Sequence, residues 1–252
     1  MRVVLSACLA FVVGIVPAAA RSLADIDASG TLRVGLTGDY PPYSLRRADG
    51  AFTGADVTMA RTLAAALHVR LEIVATSWPH LAADLKADKF DIAMGGVSVT
   101  PDRAAIGDFS IPVMQDGKRP IARCADRDRY VSLAAIDRHE VRVAVNRGGT
   151  NERFAHAHFP HAQLVARANN QAIFADLAAG RADVMVTDGA EVDYQARRHP
   201  RVLCATRVTA PFDRFGKAYW MTRDQRLKAA VDAFVRKELA SGDYQRALEA
   251  TP

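Results

Sequence analysis

Four stretches of this chain carry residues whose types and spacing can do chemistry. Thr187-Asp188-Gly189-Ala190-Glu191 places two carboxyls three residues apart, on one face of any helix that starts there. The same Asp-x-x-Glu spacing resembles a capping box, which tidies a helix start, and the residues alone leave both readings open. Ser98-Val99-Thr100-Pro101-Asp102-Arg103 puts an arginine in the first turn of a helix, where its guanidinium can fork onto a carboxylate with two parallel hydrogen bonds. The plainer alternative is a surface arginine paired with Asp102 or Asp108. Asn146-Arg147-Gly148-Gly149-Thr150-Asn151 is a glycine-rich turn that can offer free amides and a helix dipole to an anion, or merely a turn that needs glycine. It lacks the Gly-Lys-Ser/Thr ending of a nucleotide loop. Thr37-Gly38-Asp39-Tyr40-Pro41-Pro42-Tyr43-Ser44 brings a carboxylate and two aromatics into an irregular loop, with the prolines and glycine that any turn favours.

Other chemistries lack their residues. His156, His158 and His161 are spaced by two and three, and a spacing of two does not put side chains on one helix face; no carboxylate or cysteine completes a metal set. There is no Gly-x-Ser-x-Gly elbow and no His-Glu-x-x-His.

The elements that must hold these residues alternate strand and helix. Leu32–Leu36 reads as a buried strand. A helix is expected over Gly54–Leu67, with Val57, Ala60, Leu63, Ala64 and Leu67 at helical spacing. Strands are expected at Val69–Val74 and Asp91–Met94, a short helix at Leu81–Leu85, and another opened by Pro101. The style then repeats: strand Val141–Val145, a helix from about Asn151, strand Leu164–Val165, helix Gln171–Ala179, strand Val184–Val186, helix Glu191–Arg197. Ala218–Met221 reads as a strand. Gln225–Leu239 reads as an amphipathic helix, with Leu227, Val231, Phe234, Val235 and Leu239 apolar. Alternation of this kind predicts α/β layers with parallel sheets, and ligands beyond the carboxyl ends of the strands where two lobes meet.

The N-terminus sets the compartment. Arg2, an apolar run from Val3 to Val16, Pro17 and Ala18-Ala19-Ala20 form a secretory signal over 1–20; the run is shorter than the roughly 20 residues a membrane span needs. Leu5-Ser6-Ala7-Cys8 sits too early for lipid attachment. The expected product is an exported, periplasmic chain starting near Arg21, with no membrane insertion after cleavage. A formal net charge of +5, without a run of like charge, argues against a nucleic-acid surface and suits anionic small molecules. Cys124 and Cys204 can pair in an oxidising compartment or stand as free buried thiols.

In family order, the aromatic loop, Gly54-x-Asp56, Phe90-Asp91-Ile92, Thr100-x-x-Arg103, Phe109-Ser110-x-Pro112 and Gly148-x-Thr150-Asn151 resemble the type II periplasmic solute-binding proteins (family 3) of polar amino-acid transporters. The resemblance covers Thr31 to Glu249. It implies two α/β lobes, residues 21–114 with 209–252 and residues 115–208, closing on a ligand, with crossings near Met114–Lys118 and Thr206–Phe212. A narrower resemblance is to the cyclohexadienyl dehydratase family, periplasmic enzymes on this fold. Thr37-Gly38-Asp39-Tyr40, Thr76-Ser77-Trp78-Pro79, Phe90-Asp91-Ile92-Ala93-Met94, Asp116-Gly117-Lys118, Gly148-Gly149-Thr150-Asn151-Glu152, Thr187-Asp188-x-x-Glu191 and Lys217-Ala218-Tyr219 carry it. Cys124 and Cys204 also fall where that family has cysteines. Two positions depart: Gly54-Ala55-Asp56-Val57-Thr58 replaces the usual Gly-Phe-Asp-Val-Asp, and Gly95 stands where serine is common.

The narrower resemblance implies a dehydratase acting on prephenate, arogenate or both, in aromatic amino-acid biosynthesis, without metal or organic cofactor. Glu191 is then the general acid, and Lys118 counters the ring carboxylate or positions Glu191. Arg103 takes the side-chain carboxylate, Thr150 and Asn151 meet the other polar groups, and Trp78 and Tyr40 wall the ring. Asp39, Tyr43, Met94, Asn146 and Asp188 complete the expected substrate contacts. The rival implied by the broader family is a non-catalytic receptor that delivers an amino acid to a transporter. Neither reading fixes the oligomeric state, and a homo-oligomer stays open.

Overall fold

The computed structural model describes residues 21–251; the signal and lipid-attachment readings of residues 1–20 lie outside the described residues. Two five-stranded sheets organise the chain. The first runs in spatial order Arg70–Ala75, Thr31–Leu36, Ile92–Ala93, Trp220–Met221 and Asp108–Phe109. Its first three strands are parallel, and Trp220–Met221 runs antiparallel to both of its neighbours. The second repeats the plan with Gln163–Arg167, Arg142–Asn146 and Val184–Asp188 parallel, then Lys118–Arg123 and Leu203–Ala205. In each lobe, therefore, one strand of the sheet is supplied by chain that has crossed or is returning from the other lobe.

Helical periodicity becomes core. Helix Ala55–Ala66 buries Val57, Ala60, Leu63 and Ala64 against Leu32, Val34 and Leu36 of the first sheet, with Leu67 half-buried at its end. Helix Gln225–Ala240 is capped by Asp224, whose Oδ1 accepts from the Leu227 amide at 2.6 Å. It buries Leu227, Val231, Phe234 and Val235 in the same core. Leu239, expected on that face, is 41% exposed, because the last turn runs past the sheet-covering stripe. The second core gathers Val143, Val145, Phe154, Val184 and Val186 on one side of its sheet and Ile121, Ile173, Phe174, Leu177 and Met185 on the other. Pro101 opens a short helix as expected, with the Thr100 hydroxyl accepting from the Arg103 amide at 3.4 Å.

The two sheets are joined by a short antiparallel ladder of Met114–Asp116 with Phe215–Lys217. The return crossing was expected at Thr206–Phe212, but that stretch still bonds to the second lobe, Thr206 N to Pro120 O at 3.1 Å and Phe212 N to Lys118 O at 2.8 Å. The paired return strand is Phe215–Lys217, which no expected strand covered, and the strand expected over Ala218–Met221 is shortened to Trp220–Met221. Cys124 and Cys204 form a disulfide, Cα to Cα 4.8 Å, that ties Leu203–Ala205 to the end of the crossing strand Lys118–Arg123. Among the described residues no helix is long and apolar enough to cross a membrane.

Candidate active site between the lobes

Most of the candidate residues converge because they lie at or just past the carboxyl ends of parallel strands, while Lys118 opens the antiparallel crossing strand beside Asp188. Asp39 and Tyr40 follow Thr31–Leu36, Trp78 follows Arg70–Ala75, and Gly96 and Ser98 follow Ile92–Ala93. From the other lobe, Thr150 and Asn151 follow Arg142–Asn146, Asn170 follows Gln163–Arg167, and Glu191 follows Val184–Asp188. Parallel strands end together, so their loops meet across the interlobe cleft.

Asp188 is the centre of the charge arrangement. It is the N-cap residue of helix Gly189–Arg198, yet its side chain makes no cap bond. Asp116, on the crossing strand, does that work instead: its carboxylate accepts from the amides of Gly189 at 2.9 Å and Ala190 at 3.3 Å. The capping-box reading thus fails, and the Asp188 carboxylate is turned into the cleft. There Oδ1 accepts from Lys118 Nζ at 2.5 Å, while Oδ2 accepts from Lys217 Nζ and from the Tyr40 hydroxyl. Lys118 also donates to Thr150 Oγ1 at 2.9 Å and to Asn151 Oδ1; Lys217 donates to Gly96 O at 2.8 Å and Ser98 Oγ at 3.0 Å. Asp188 and both lysines are 1% exposed. Burial pushes the Asp188 carboxyl up, but the two ammoniums outweigh it and hold it well below the usual carboxylate range. Burial pulls the Lys118 ammonium down, opposed by Asp188.

Glu191 is the opposite case. It is fully buried and, among the described residues, has no basic partner; its carboxyl accepts from Asn170 Nδ2 at 2.5 Å and from the Thr187 hydroxyl at 2.7 Å. Burial drives its pKa well above the ordinary carboxyl value. The charges of Asp188 and Asp39 add to this, and the Thr187 and Asn170 donors offset only part of it. The side chain therefore holds its proton to a higher pH than an ordinary carboxyl. It stands one hydroxyl behind the cavity wall, since the Thr187 oxygen also meets Asn151 Nδ2 at 2.9 Å and the Tyr40 hydroxyl at 3.3 Å.

Arg103 is 7% exposed, donates to Ser98 O at 2.9 Å and stands 5.9 Å over the Trp78 ring. Among the described residues it has no carboxylate partner, so the surface ion pair with Asp102 or Asp108 does not form. Burial, with Arg153 beside it, lowers its pKa to about 10, which still leaves it charged at neutral pH. A buried cation without a protein anion is a standing site for a ligand carboxylate.

The lobes are closed on each other. Asp39 Oδ1 accepts from Trp78 Nε1 at 3.0 Å, while across the cleft Asn170 Nδ2 and Gln171 Nε2 donate to the Asp39 carbonyl at 3.2 and 2.8 Å. Burial raises the Asp39 pKa. Tyr40, Trp78, Asn146, Thr150, Asp188 and Lys217 line what remains of the cavity, about 10 Å³, room for roughly one water. A groove of about 700 Å³ lies elsewhere, behind the hinge along Met114, Gly117, Arg197 and Glu249; it is open and lacks convergent buried charge, so the closed cleft is the better site.

Two expected contacts belong to the supporting layer. Tyr43 stacks behind Tyr40, ring centroids 5.7 Å apart, with its hydroxyl on Asp116 at 3.3 Å. Met94 packs in the first lobe's core with Leu36 and Tyr219, because the strand turns its side chain inward. Gly95, the departure noted above, has φ +97, and a Cβ there would meet Ser44 and Leu36, so that change concerns packing. Cleft residues not singled out as site residues include Thr187, Asn170, Gln171 and Lys217, besides Gly96, Ser98 and Gly149 of the cavity lining. Of the first group, Thr187, Asn170 and Gln171 read as ordinary strand-end and helix-start polar residues. Lys217 lies on the return strand with no local motif, and its only signal was the stretch Lys217-Ala218-Tyr219.

The chain matches, over residues 32–250, the family described as bacterial extracellular solute-binding proteins, family 3. It belongs to that family. Among curated members it is 42% identical to the cyclohexadienyl dehydratase of Pseudomonas aeruginosa, over 96% of this chain and 91% of the relative. It is 26% identical to the ABC transporter arginine-binding protein 1 of Escherichia coli, over 73% and 74%. Among solved family 3 structures, an ancestral cyclohexadienyl dehydratase is 48% identical, TM-score 0.57, covering 93% of this chain and 97% of that one. An ancestral amino acid-binding protein described as a precursor of cyclohexadienyl dehydratase is 32% identical, TM-score 0.83, covering 91% and 98%.

Proposed function

We propose that this family 3 protein is a periplasmic dehydratase that converts prephenate to phenylpyruvate, arogenate to phenylalanine, or both, with Glu191 as the proton donor. The observation that carries this is the pairing of a fully buried carboxyl, with no basic partner among the described residues and its pKa raised by burial, with a cleft of buried cations. A receptor needs the cations to hold an anion; it has no use for a carboxyl that burial biases toward its acid form beside them.

The reaction breaks two bonds. The C–O bond to the ring hydroxyl releases water once that oxygen has been protonated. The C–C bond to the ring carboxylate releases carbon dioxide, and its electron pair completes the aromatic ring. The products are favoured, and the obstacle is the poor leaving group. One acid placed at the hydroxyl typically contributes about 10²- to 10⁴-fold; fixed orientation and complementary charge add to it. In this reading Arg103 binds the side-chain carboxylate, and Lys118 balances the ring carboxylate. Tyr40 and Trp78 flank the ring, Asn146, Thr150 and Asn151 orient its polar groups, and Asp39 joins the lobes over it. The lobes hinge at the ladder of Met114–Asp116 with Phe215–Lys217, which moves the return boundary from 208/209 to just before Phe215. A cavity of about 10 Å³ cannot hold the substrate, so the lobes part to admit it and close to exclude water.

The test is turnover of each substrate by the purified chain from Arg21, followed by ultraviolet absorbance, with Glu191→Gln beside it. Loss of at least 100-fold in kcat with an unchanged fold is expected. Tight binding of a free amino acid with no turnover would mark a transport receptor, and full activity in Glu191→Gln would remove Glu191 from the mechanism.

A further inference from the structure

Resting on the dehydratase reading, we propose that the cleft prefers the 2-oxo acid substrate over the 2-amino acid, with Lys217 as the residue that sets the preference. The two candidate substrates share the ring, its hydroxyl and both carboxylates. They differ at one carbon of the side chain, which bears a neutral carbonyl in one and an ammonium in the other. The first is a dianion and the second has net charge −1.

The charges around the cavity fit the dianion. Arg103, Lys118 and Lys217 are buried cations. Asp188 is the ionised carboxylate set among them, and both of its oxygens are already taken, Oδ1 by Lys118 and Oδ2 by Lys217 and Tyr40. The other nearby carboxyls are no better placed to receive an ammonium. Glu191 is fully buried behind Thr187, off the cavity lining, with its pKa raised by that burial. Asp39 has Oδ1 on the Trp78 indole and Oδ2 3.3 Å from the Asn170 amide. Asp116 is spent on the amides of Gly189 and Ala190.

An incoming ammonium must therefore displace a lysine from Asp188 and leave that lysine buried beside a like charge. A carbonyl needs only one donor, and the Thr150 hydroxyl, which accepts from Lys118, keeps its own proton to give. Lys217 is the separable member of the pair. It comes from the return strand, whereas Asp188 belongs to the second lobe, and the other partners of Lys217, Gly96 O and Ser98 Oγ, lie in the first lobe.

The experiment compares kcat/KM for prephenate and arogenate in the wild type, Lys217→Met and Lys217→Arg. Because each preference is a ratio within one protein, partial misfolding of a variant cancels. We expect the wild type to favour prephenate by roughly tenfold or more, since a like-charge contact is costly. Lys217→Met should cut that ratio at least fivefold, and Lys217→Arg, which keeps the charge, should restore most of it. A wild-type ratio at or below one overturns the proposal, as does a Lys217→Met ratio equal to the wild type's. If the wild type turns over neither substrate, the dehydratase reading fails by itself. The charge preference is then decided by calorimetry with phenylpyruvate and phenylalanine, which differ in the same group: tighter phenylpyruvate supports it and tighter phenylalanine overturns it.

Discussion

Asp188 and Glu191 sit three residues apart, both fully enclosed, and their pKa values are pushed in opposite directions. The difference lies in who their neighbours are. Two ammoniums meet Asp188 and hold its pKa down, whereas Glu191 has only an amide and a hydroxyl and burial pushes its pKa up. This has a consequence for stability that does not depend on turnover. A carboxyl in the unfolded chain titrates near 4.3, and Glu191 in the folded chain titrates well above the ordinary value. The folded state therefore holds the proton more strongly, and stability present below the unfolded pKa is lost as pH rises through the folded one. Glu191→Gln keeps the shape and cannot ionise. Its stability relative to wild type should start near parity or below at pH 4, rise steadily with pH and level off above the folded pKa, as read by urea denaturation across pH. A flat difference would mean that the Glu191 pKa is not raised. The sequence made this carboxyl pair legible because spacing alone puts both on one helix face. It left the roles undecided, because Asp116, which takes over the capping, is 72 residues away from Asp188 in the chain.

The strands and helices explain why so many separate motifs reach one cleft, and alternation of apolar strands with helical periodicity was enough to read them. What local pattern missed were the contributions of returning chain. Only Ala218–Met221 reads as a strand, and Phe215–Lys217 goes unread, because nothing nearby says that this stretch pairs with Met114–Asp116. Lys217 was overlooked as a cleft residue for the same reason. The glycine-rich turn was legible as a turn, but its tightest demand comes from the opposite lobe. Gly148 has φ +77, and a Cβ on it would fall 2.5 Å from the Pro79 backbone nitrogen. A side chain here is strained locally and meets backbone that cannot give way. Gly148→Val should thus hold the lobes apart at this rim. Small-angle scattering should show a larger radius of gyration than the wild type, and the main kinetic effect should be a raised KM for whichever substrate is used. A variant as compact as the wild type would show that the turn can yield.

At the scale of the molecule, two cores are joined by two crossings and a three-pair ladder, and the contacts that close the cleft are mostly polar. Such a junction couples the lobes weakly, so each core approximates a folding unit of its own. The disulfide is unevenly placed in this scheme. Cys204 lies on the second sheet's edge strand and Cys124 in the turn just after the neighbouring strand, so both belong to the second lobe, and no cystine braces the first lobe among the described residues. Closing a loop of sequence separation 80 is worth roughly 4 kcal/mol in the chain-entropy model, and all of it acts on the second lobe. Replacing both cysteines by serine should therefore lower that lobe's stability alone and split one thermal transition into two, the lower one moving and the upper one staying near its wild-type temperature. Adding a ligand that binds only the closed form should draw the two together again, because both lobes must be folded to hold it. Calorimetry of the double variant with and without phenylpyruvate reads both effects, and a single transition shifted as a whole would mean that the two cores unfold as one.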